Sequence, residues 1–282
     1  MVDNRPPGGT SILMRCVVAS ALALAVACLS AVTPAAQTTV GYDISYPQCG
    51  GPFPSGPATV GIVGVNGGRV YSANPCLGTG DGPSELAWAY SVTGGTPAFY
   101  ANTANPGPRV STHWPSGQTS PKVCAATFPK NDSTACAYDY GWNAARDSYN
   151  DAVTAEQQLY GASAHSPALR QWWLDVENSN SWETLEYGGR ASYKANDTAT
   201  VQGGVAYLRS VGVSGVGIYS TSYQWGQITG GASLDATIPD WVAGAADASQ
   251  AAAFCSSTYS FSGGSVNLSQ YQSGGFDVDR RC

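Results

Sequence analysis

The stretch RQWWLDVEN, residues 170–178, decides how this chain is read. It begins apolar and aromatic and ends in the tripeptide Asp175-Val176-Glu177. A short run of that kind reads as a buried strand. Successive strand residues point to opposite faces, so Trp173, Asp175 and Glu177 share one face, with neighbours about 6.5–7 Å apart. Trp172 points the other way and is expected in the core, against helices. Two acids on one face of a buried strand resist ionising together, because a low dielectric disfavours both charges. Sites that need one protonated and one ionised carboxyl use this arrangement, and glycoside hydrolysis is the main example.

Short β-branched or aromatic runs, punctuated by glycine, recur on either side of this strand. They predict strands over 40–45, 59–66, 97–102, 171–177, 215–220, 239–243 and 266–272, with a weaker one over 257–261. Helical patterns fall between them at 84–92, where Ser84 suits an N-cap, at 138–160 and at 198–211. Strands alternating with helices predict an α/β fold with a parallel sheet, and the length suits a TIM-type barrel. After Trp241 too few residues separate the strands for full crossover helices, so the expectation is regular βα units early and bare strands at the C-terminal end. The insert over 103–137 is rich in Pro, Gly, Ser and Thr and should sit on the C-terminal rim, where active-site loops collect.

Residues 1–36 read as a secretory signal: Arg5 and Arg15 precede the apolar run CVVASALALAVACLSAV, which ends near small residues. The mature chain is expected to be one barrel domain over 37–282, secreted and extracellular or wall-associated. Loss of residues 1–35 leaves 11 basic and 18 acidic side chains, a net charge of −7. That balance, with three lysines, offers no electrostatic footprint for nucleic acid or for an anionic membrane. Six cysteines remain after the leader, and an even number in an exported chain reads as disulfides. Sequence leaves the pairing open, although proximity favours Cys49–Cys76, Cys124–Cys136 and Cys255–Cys282. There is no CxxC pair, and the only histidines are His113 and His165, so neither a zinc site nor another cofactor is expected. A Ser-His-Asp triad lacks its G-x-S-x-G elbow.

In a parallel barrel the C-terminal strand ends share one mouth. Asp43 lies near the end of the first strand, Asp175 and Glu177 close the fourth, and Asp277 and Asp279 are read as following the last. First and last strands are neighbours once a barrel closes, so Asp43 and Asp277 are expected to meet. Tyr100, Asn102, Tyr219 and Gln272 fall near strand ends and are candidate substrate contacts. Arg280 and Arg281 are expected to form ion pairs with the neighbouring acids.

These motifs, in order, resemble glycoside hydrolase family 25, the N-acetylmuramidase type of lysozyme, or closely related secreted actinobacterial glycoside-hydrolase-like barrels. GYDISYPQ (41–48) is similar to the family's G-x-D-x-S-x-x-Q opening, and LDVE (174–177) to its acidic strand. GIYSTSYQW (217–225), DWVAGA (240–245), SQYQS (269–273) and FDVD (276–279) resemble its later segments. The resemblance spans nearly all of 39–280. It implies a monomeric lysozyme-like hydrolase that cleaves β-1,4 bonds of peptidoglycan or a related wall glycan. Glu177 is then the general acid, Asp175 the carboxylate that steadies positive charge or orients the substrate's N-acetyl group, and Asp43 and Asp277 line the cleft. The chain departs from the family on the rim. GVNGG (64–68) places Asn66 where the second strand usually has an acid, AFYAN (98–102) lacks the usual histidine, and Pro47 stands for a tryptophan. The alternative implied by those departures is a non-catalytic barrel that binds wall polysaccharide or a surface partner. A chitinase-type barrel fits less well, because Trp173 interrupts the alternating aspartates such a strand requires.

Overall fold

Eight strands close on themselves in chain order: β1 (Val40–Ile44), β2 (Gly61–Gly64), β3 (Ala98–Asn102), β4 (Trp172–Asp175), β5 (Val216–Ser220), β6 (Asp240–Ala245), β7 (Val266–Ser273) and β8 (Phe276–Arg281). This computed structural model describes residues 40–80, 82–184 and 192–282, so the expected leader lies outside the described residues. Strands β1 to β7 run parallel to their sequence neighbours, and β8 is antiparallel to both β7 and β1. The helices are α1 (Glu85–Thr93), α2 (Gly107–Val110), α3 (Thr134–Tyr160), α4 (Tyr193–Ser210), α5 (Ser222–Thr229) and α6 (Ala248–Phe254).

Alternation along each strand sorts the apolar residues into two layers. Val60, Ile62, Ala98, Trp173, Trp241 and Leu268 pack inside the barrel. Val63, Phe99, Trp172, Leu174, Val216 and Ile218 face the helices, in the larger cluster with Leu86, Trp88, Val201 and Leu208. Trp172 and Trp173 therefore fall on opposite faces, as the period of two requires.

Four readings of the sequence are changed. The weak strand over 257–261 is instead a 3-10 turn at Ser257–Tyr259, because Ser256 caps it and the buried Asp240 carboxylate accepts from the amides of Phe261 and Ser262. An eighth strand holds Asp277 and Asp279, so these residues do not follow the last strand. Its hairpin turn is Gly274-Gly275, both at positive φ as a two-residue turn between twisted strands needs. The bare junction expected near the C-terminal end is this hairpin, whereas two-turn α6, capped by Asp247, intervenes before β7. β1 and β2 are joined by a loop whose only helical piece is a 3-10 turn at Tyr46–Gln48.

The three disulfides are Cys49–Cys76, Cys124–Cys136 and Cys255–Cys282. No described helix is long and apolar enough to cross a membrane. The longest helices, α3 and α4, cross where glycine lets backbones touch. A Cβ at Gly203 would lie 2.0 Å from the Tyr138 carbonyl oxygen, and one at Gly141 would lie 1.9 Å from that of Thr200. Gly203→Ala is expected to force the helices apart and cost about 1–3 kcal/mol, read as a lowered denaturation midpoint. An unchanged midpoint would show that the crossing is looser than described.

Candidate active site

The parallel strands deliver their C-terminal ends to one mouth, and the β7–β8 turn lies at the same end. Asp43 on β1 pairs directly with Asp277 on β8, and Gln272 on β7 pairs with Asp277 from the other side. Across the barrel, Asp175 ends β4 between Asn102 of β3 and Tyr219 of β5. Glu177 lies two residues beyond. Regular pairing ends at Asp175, but the Val176 amide still donates to the Tyr219 carbonyl and the Ser220 hydroxyl donates to the Val176 carbonyl. The Trp182 indole donates to the Glu177 carbonyl at 2.7 Å, which fixes the backbone beneath the acid.

The result is a pocket of about 300 Å³ lined by Asp43, Tyr100, Asp175, Glu177, Tyr219, Trp241, Gln270, Gln272 and Asp277. No Lys, Arg or His is in that lining. The structure thus brings together seven of the eight candidate residues. The eighth, Asn102, stands behind the wall: its amide donates to Asp175 Oδ2 at 2.8 Å and so orients the carboxylate. Larger cavities exist on the same rim, one of about 610 Å³ beside Trp182 and Glu183. Chemistry and not size singles out the acid pocket.

Two lining residues, Gln270 and Trp241, are missed by sequence reasoning. The Tyr219 hydroxyl donates to Gln270 Oε1 at 2.7 Å, and Gln270 Nε2 donates to Asp43 Oδ2 at 2.8 Å, so a polar relay spans the pocket. Trp241 forms the aromatic floor, with ring centroids 4.5 Å from Tyr219, 5.6 Å from Trp173 and 6.5 Å from Tyr100. The signal for Trp241 is its even spacing from Ala243 on a strand already recognised. Gln270 becomes visible only when the register of β7 is known. Gly64 makes room for the Tyr100 ring, since a Cβ there would meet its Cζ at 2.7 Å.

Every carboxyl of the pocket is pushed upward. Burial raises Asp43 to about 7, with the Asp277 charge adding to it and the Gln270 bond opposing it. Burial first and Glu177 second hold Asp175 well above the usual carboxylate range, against the pull of Asn180 and Asn102. Glu177 is raised by burial, opposed by the donated bond of Gln224 at 3.4 Å and reinforced by Asp277. Asp277 is raised by burial. One pleat below, fully buried Asp279 is raised by burial and by Asp43, and neither of its oxygens has a hydrogen-bond partner of good geometry.

Two expectations for neighbouring residues are changed. Arg280 and Arg281 form no ion pair with Asp277 or Asp279, because Arg280 is on the opposite face of β8 and Arg281 lies at the far end of the barrel. Arg281 donates instead to the Thr59 carbonyl. Asn66, at the position where the resemblance calls for an acid, points away from the pocket. Its amide donates to the Ser148 hydroxyl and its oxygen accepts from the Asn102 amide, so it braces β3 against α3. Among the described residues no group of three or more His, Cys, Asp or Glu has the geometry to hold a metal ion.

Residues 124–263 match the family model described as Lysozyme-like protein 1. The matched segment contains Asp175 and Glu177 and runs from the Cys124 disulfide to the loop before β7. Over that segment the chain is similar to this lysozyme-like family. No curated protein matches it. Among solved structures, this chain is similar to a family GH25 lysozyme from Aspergillus fumigatus at TM-score 0.50 and 14% identity, covering 86% of this chain and 93% of that one. That likeness concerns the fold. A muramidase from Acremonium alcalophilum (TM-score 0.47, 14% identity, 87% and 94% covered) and a bacterial lysozyme from Streptomyces coelicolor (TM-score 0.45, 16% identity, 88% and 93% covered) are also similar.

Proposed function

We propose that the chain is an exported glycoside hydrolase that cleaves β-1,4 bonds of peptidoglycan, with Glu177 as general acid. The observation that carries this reading is the convergence of Asp43, Asp175, Glu177 and Asp277, from three distant parts of the chain, on one pocket whose lining has no cation. Four carboxyls so close cannot all ionise, so protons remain bound near neutral pH. Asp175 accepts a short bond from Asn102, whereas Glu177 has only the longer contact from Gln224. Burial favours a proton on both acids; the Asn102 bond favours a charged Asp175 when positive charge develops beside it, which leaves Glu177 as the proton donor. Glu177 is also the more open of the two, at the end of the strand where a leaving oxygen can reach it. It protonates the glycosidic oxygen while Asp175 steadies the positive charge that develops on the sugar. Export accords with three disulfides, which persist in oxidising compartments.

The test is release of new reducing ends from purified peptidoglycan. Activity should be highest in mild acid and fall as pH rises through the raised pKa of Glu177, since the active form is the protonated one. A profile flat from pH 4 to 8 would contradict a carboxylic general acid. Asn102→Leu should lower turnover about 10–100-fold by removing a hydrogen bond to a charged group worth ~1.5–3 kcal/mol. Turnover equal to that of the parent chain would mean that Asp175 holds its position without Asn102.

A further inference from the structure

We propose that a second cavity, next to the acid pocket, is a subsite for a carboxylate-bearing peptide branch of the glycan. The proposal rests on the glycan-cleaving reading above and adds the part of the substrate that reading leaves unassigned. The cavity, of about 370 Å³, is lined by Arg69, Tyr71, Asn102, Ser111, His113 and Asn180, among others. Its partition from the acid pocket is thin. Asn102 donates to the Asp175 carboxylate and Asn180 Nδ2 donates to the Asp175 carbonyl at 3.1 Å, so both amides line one cavity while holding an acid of the other.

The two cavities have opposite charge. Four carboxyls and no cation line the acid pocket, whereas Arg69 and His113 but no Asp or Glu line its neighbour. Arg69 is exposed and has no hydrogen bond or ion pair with any described residue. Behind the wall, Arg146 and Asp147 of α3 face Tyr71 with opposite charges, and Asp147 also faces His113, so they largely offset each other. The free cation of the cavity is Arg69. A neutral sugar chain gives a free guanidinium nothing to pair with. A branch ending in carboxylates does, and the guanidinium fork suits two-point contact with such a group.

The wall of this cavity is built in advance. Tyr71 is the one described non-glycine residue at positive φ, +57°, a conformation that costs a tyrosine ~1–2 kcal/mol. Its ring stacks on His113 at 4.0 Å and 7° and meets Tyr140 edge-on at 5.7 Å. Trp114 stacks on Tyr140 behind it, in a cluster that includes Cys124 and Cys136. Tyr71, His113 and Tyr140 thus give the cavity a stiff aromatic face, against which the apolar part of a peptide can lie.

The experiment compares soluble glycan fragments that carry the peptide branch with bare fragments whose lactyl carboxyl is capped as a neutral amide. Binding is measured by calorimetry on the full chain carrying Glu177→Gln, so that no turnover intervenes. The peptide-bearing fragment should bind about 10-fold more tightly. Adding Arg69→Glu should abolish that preference, Arg69→Lys should keep part of it, and affinity for the bare glycan should stay unchanged in both. Equal affinity for the two fragments, parallel loss of both on Arg69→Glu, or binding of neither would overturn the proposal. Hydrolysis by the unmutated chain is read separately. A preference for peptide with no cleavage would keep the subsite and remove the glycosidase reading.

Discussion

Replacing Glu177 by Gln should lower the release of reducing ends from peptidoglycan by about 10²–10⁴-fold, the usual contribution of a positioned general acid. The amide is nearly isosteric, so the Trp182 bond to the residue 177 carbonyl and the turn to Asn180 persist. What disappears is the transferable proton. The loss should therefore appear in kcat far more than in KM, because sugar binding uses the remainder of the pocket. Circular dichroism and the denaturation midpoint at pH 5 should match those of the parent. If the variant cleaves at the parent rate, the acid is elsewhere and the pocket is a binding site. Asp175→Asn should also reduce turnover, but it leaves the donor on Glu177 in place, and the two substitutions together should cost less than the product of their separate effects.

Stability should fall as pH rises from about 4 to 8, contrary to the common expectation for an acidic protein with paired carboxylates. Asp197 and Glu85 are fully buried, and burial raises them to about 8 and about 7, each opposed by one asparagine bond. Asn105 donates to Asp197 at 2.8 Å, and Asn74 donates to Glu85 at 2.6 Å. A carboxyl whose folded pKa lies above its unfolded value binds more protons in the folded state between the two values. Its stabilising contribution is complete below the unfolded pKa and is lost as pH climbs through the folded one. A tenfold difference in proton affinity between the folded and unfolded chain corresponds to ~1.4 kcal/mol, so two such groups weigh heavily against a typical folding free energy of roughly 5–15 kcal/mol. The denaturation midpoint should peak near pH 4–5 and drop by several degrees at pH 8. Asp197→Asn should raise the midpoint at pH 8 and flatten the slope, since the amide keeps an acceptor for Asn105 and has no charge to bury. A midpoint that climbs from pH 4 to 8 in the parent would show that these carboxyls ionise without cost.

The sequence makes legible whatever depends on local period. The alternation in RQWWLDVEN places Trp172 among the helices and Trp173, Asp175 and Glu177 towards the barrel interior, and the structure has them there. Ser84 is readable as a cap, and its hydroxyl does accept from the Ala87 amide. Harder to see are features that arise only when the barrel closes. Strand β8 is hidden although Gly274-Gly275 followed by Phe276-Asp277-Val278-Asp279 is a hairpin signal with alternation, because two aspartates in four residues read as a solvated tail. Helices α5 and α6 run for eight and seven residues, too short for a period of 3.6 to show. Asn102 is recognisable as near the site but not as a support for Asp175, since cross-strand pairing sets that role. Ser257–Tyr259 is misleading because residues of strand propensity are drawn into a turn by a buried carboxylate on another strand, that of Asp240.

The antiparallel return of β8 has a further bearing on when this protein can act. Asp277 reaches the pocket only through pairing with both β1 and β7, and Cys282 just beyond β8 is linked to Cys255. A nascent chain still lacking that strand has an unclosed sheet, an exposed flank on β1 and three of its four acids. The pocket thereby gains its fourth acid only once residues 266–281 have been made and have paired with the first strand.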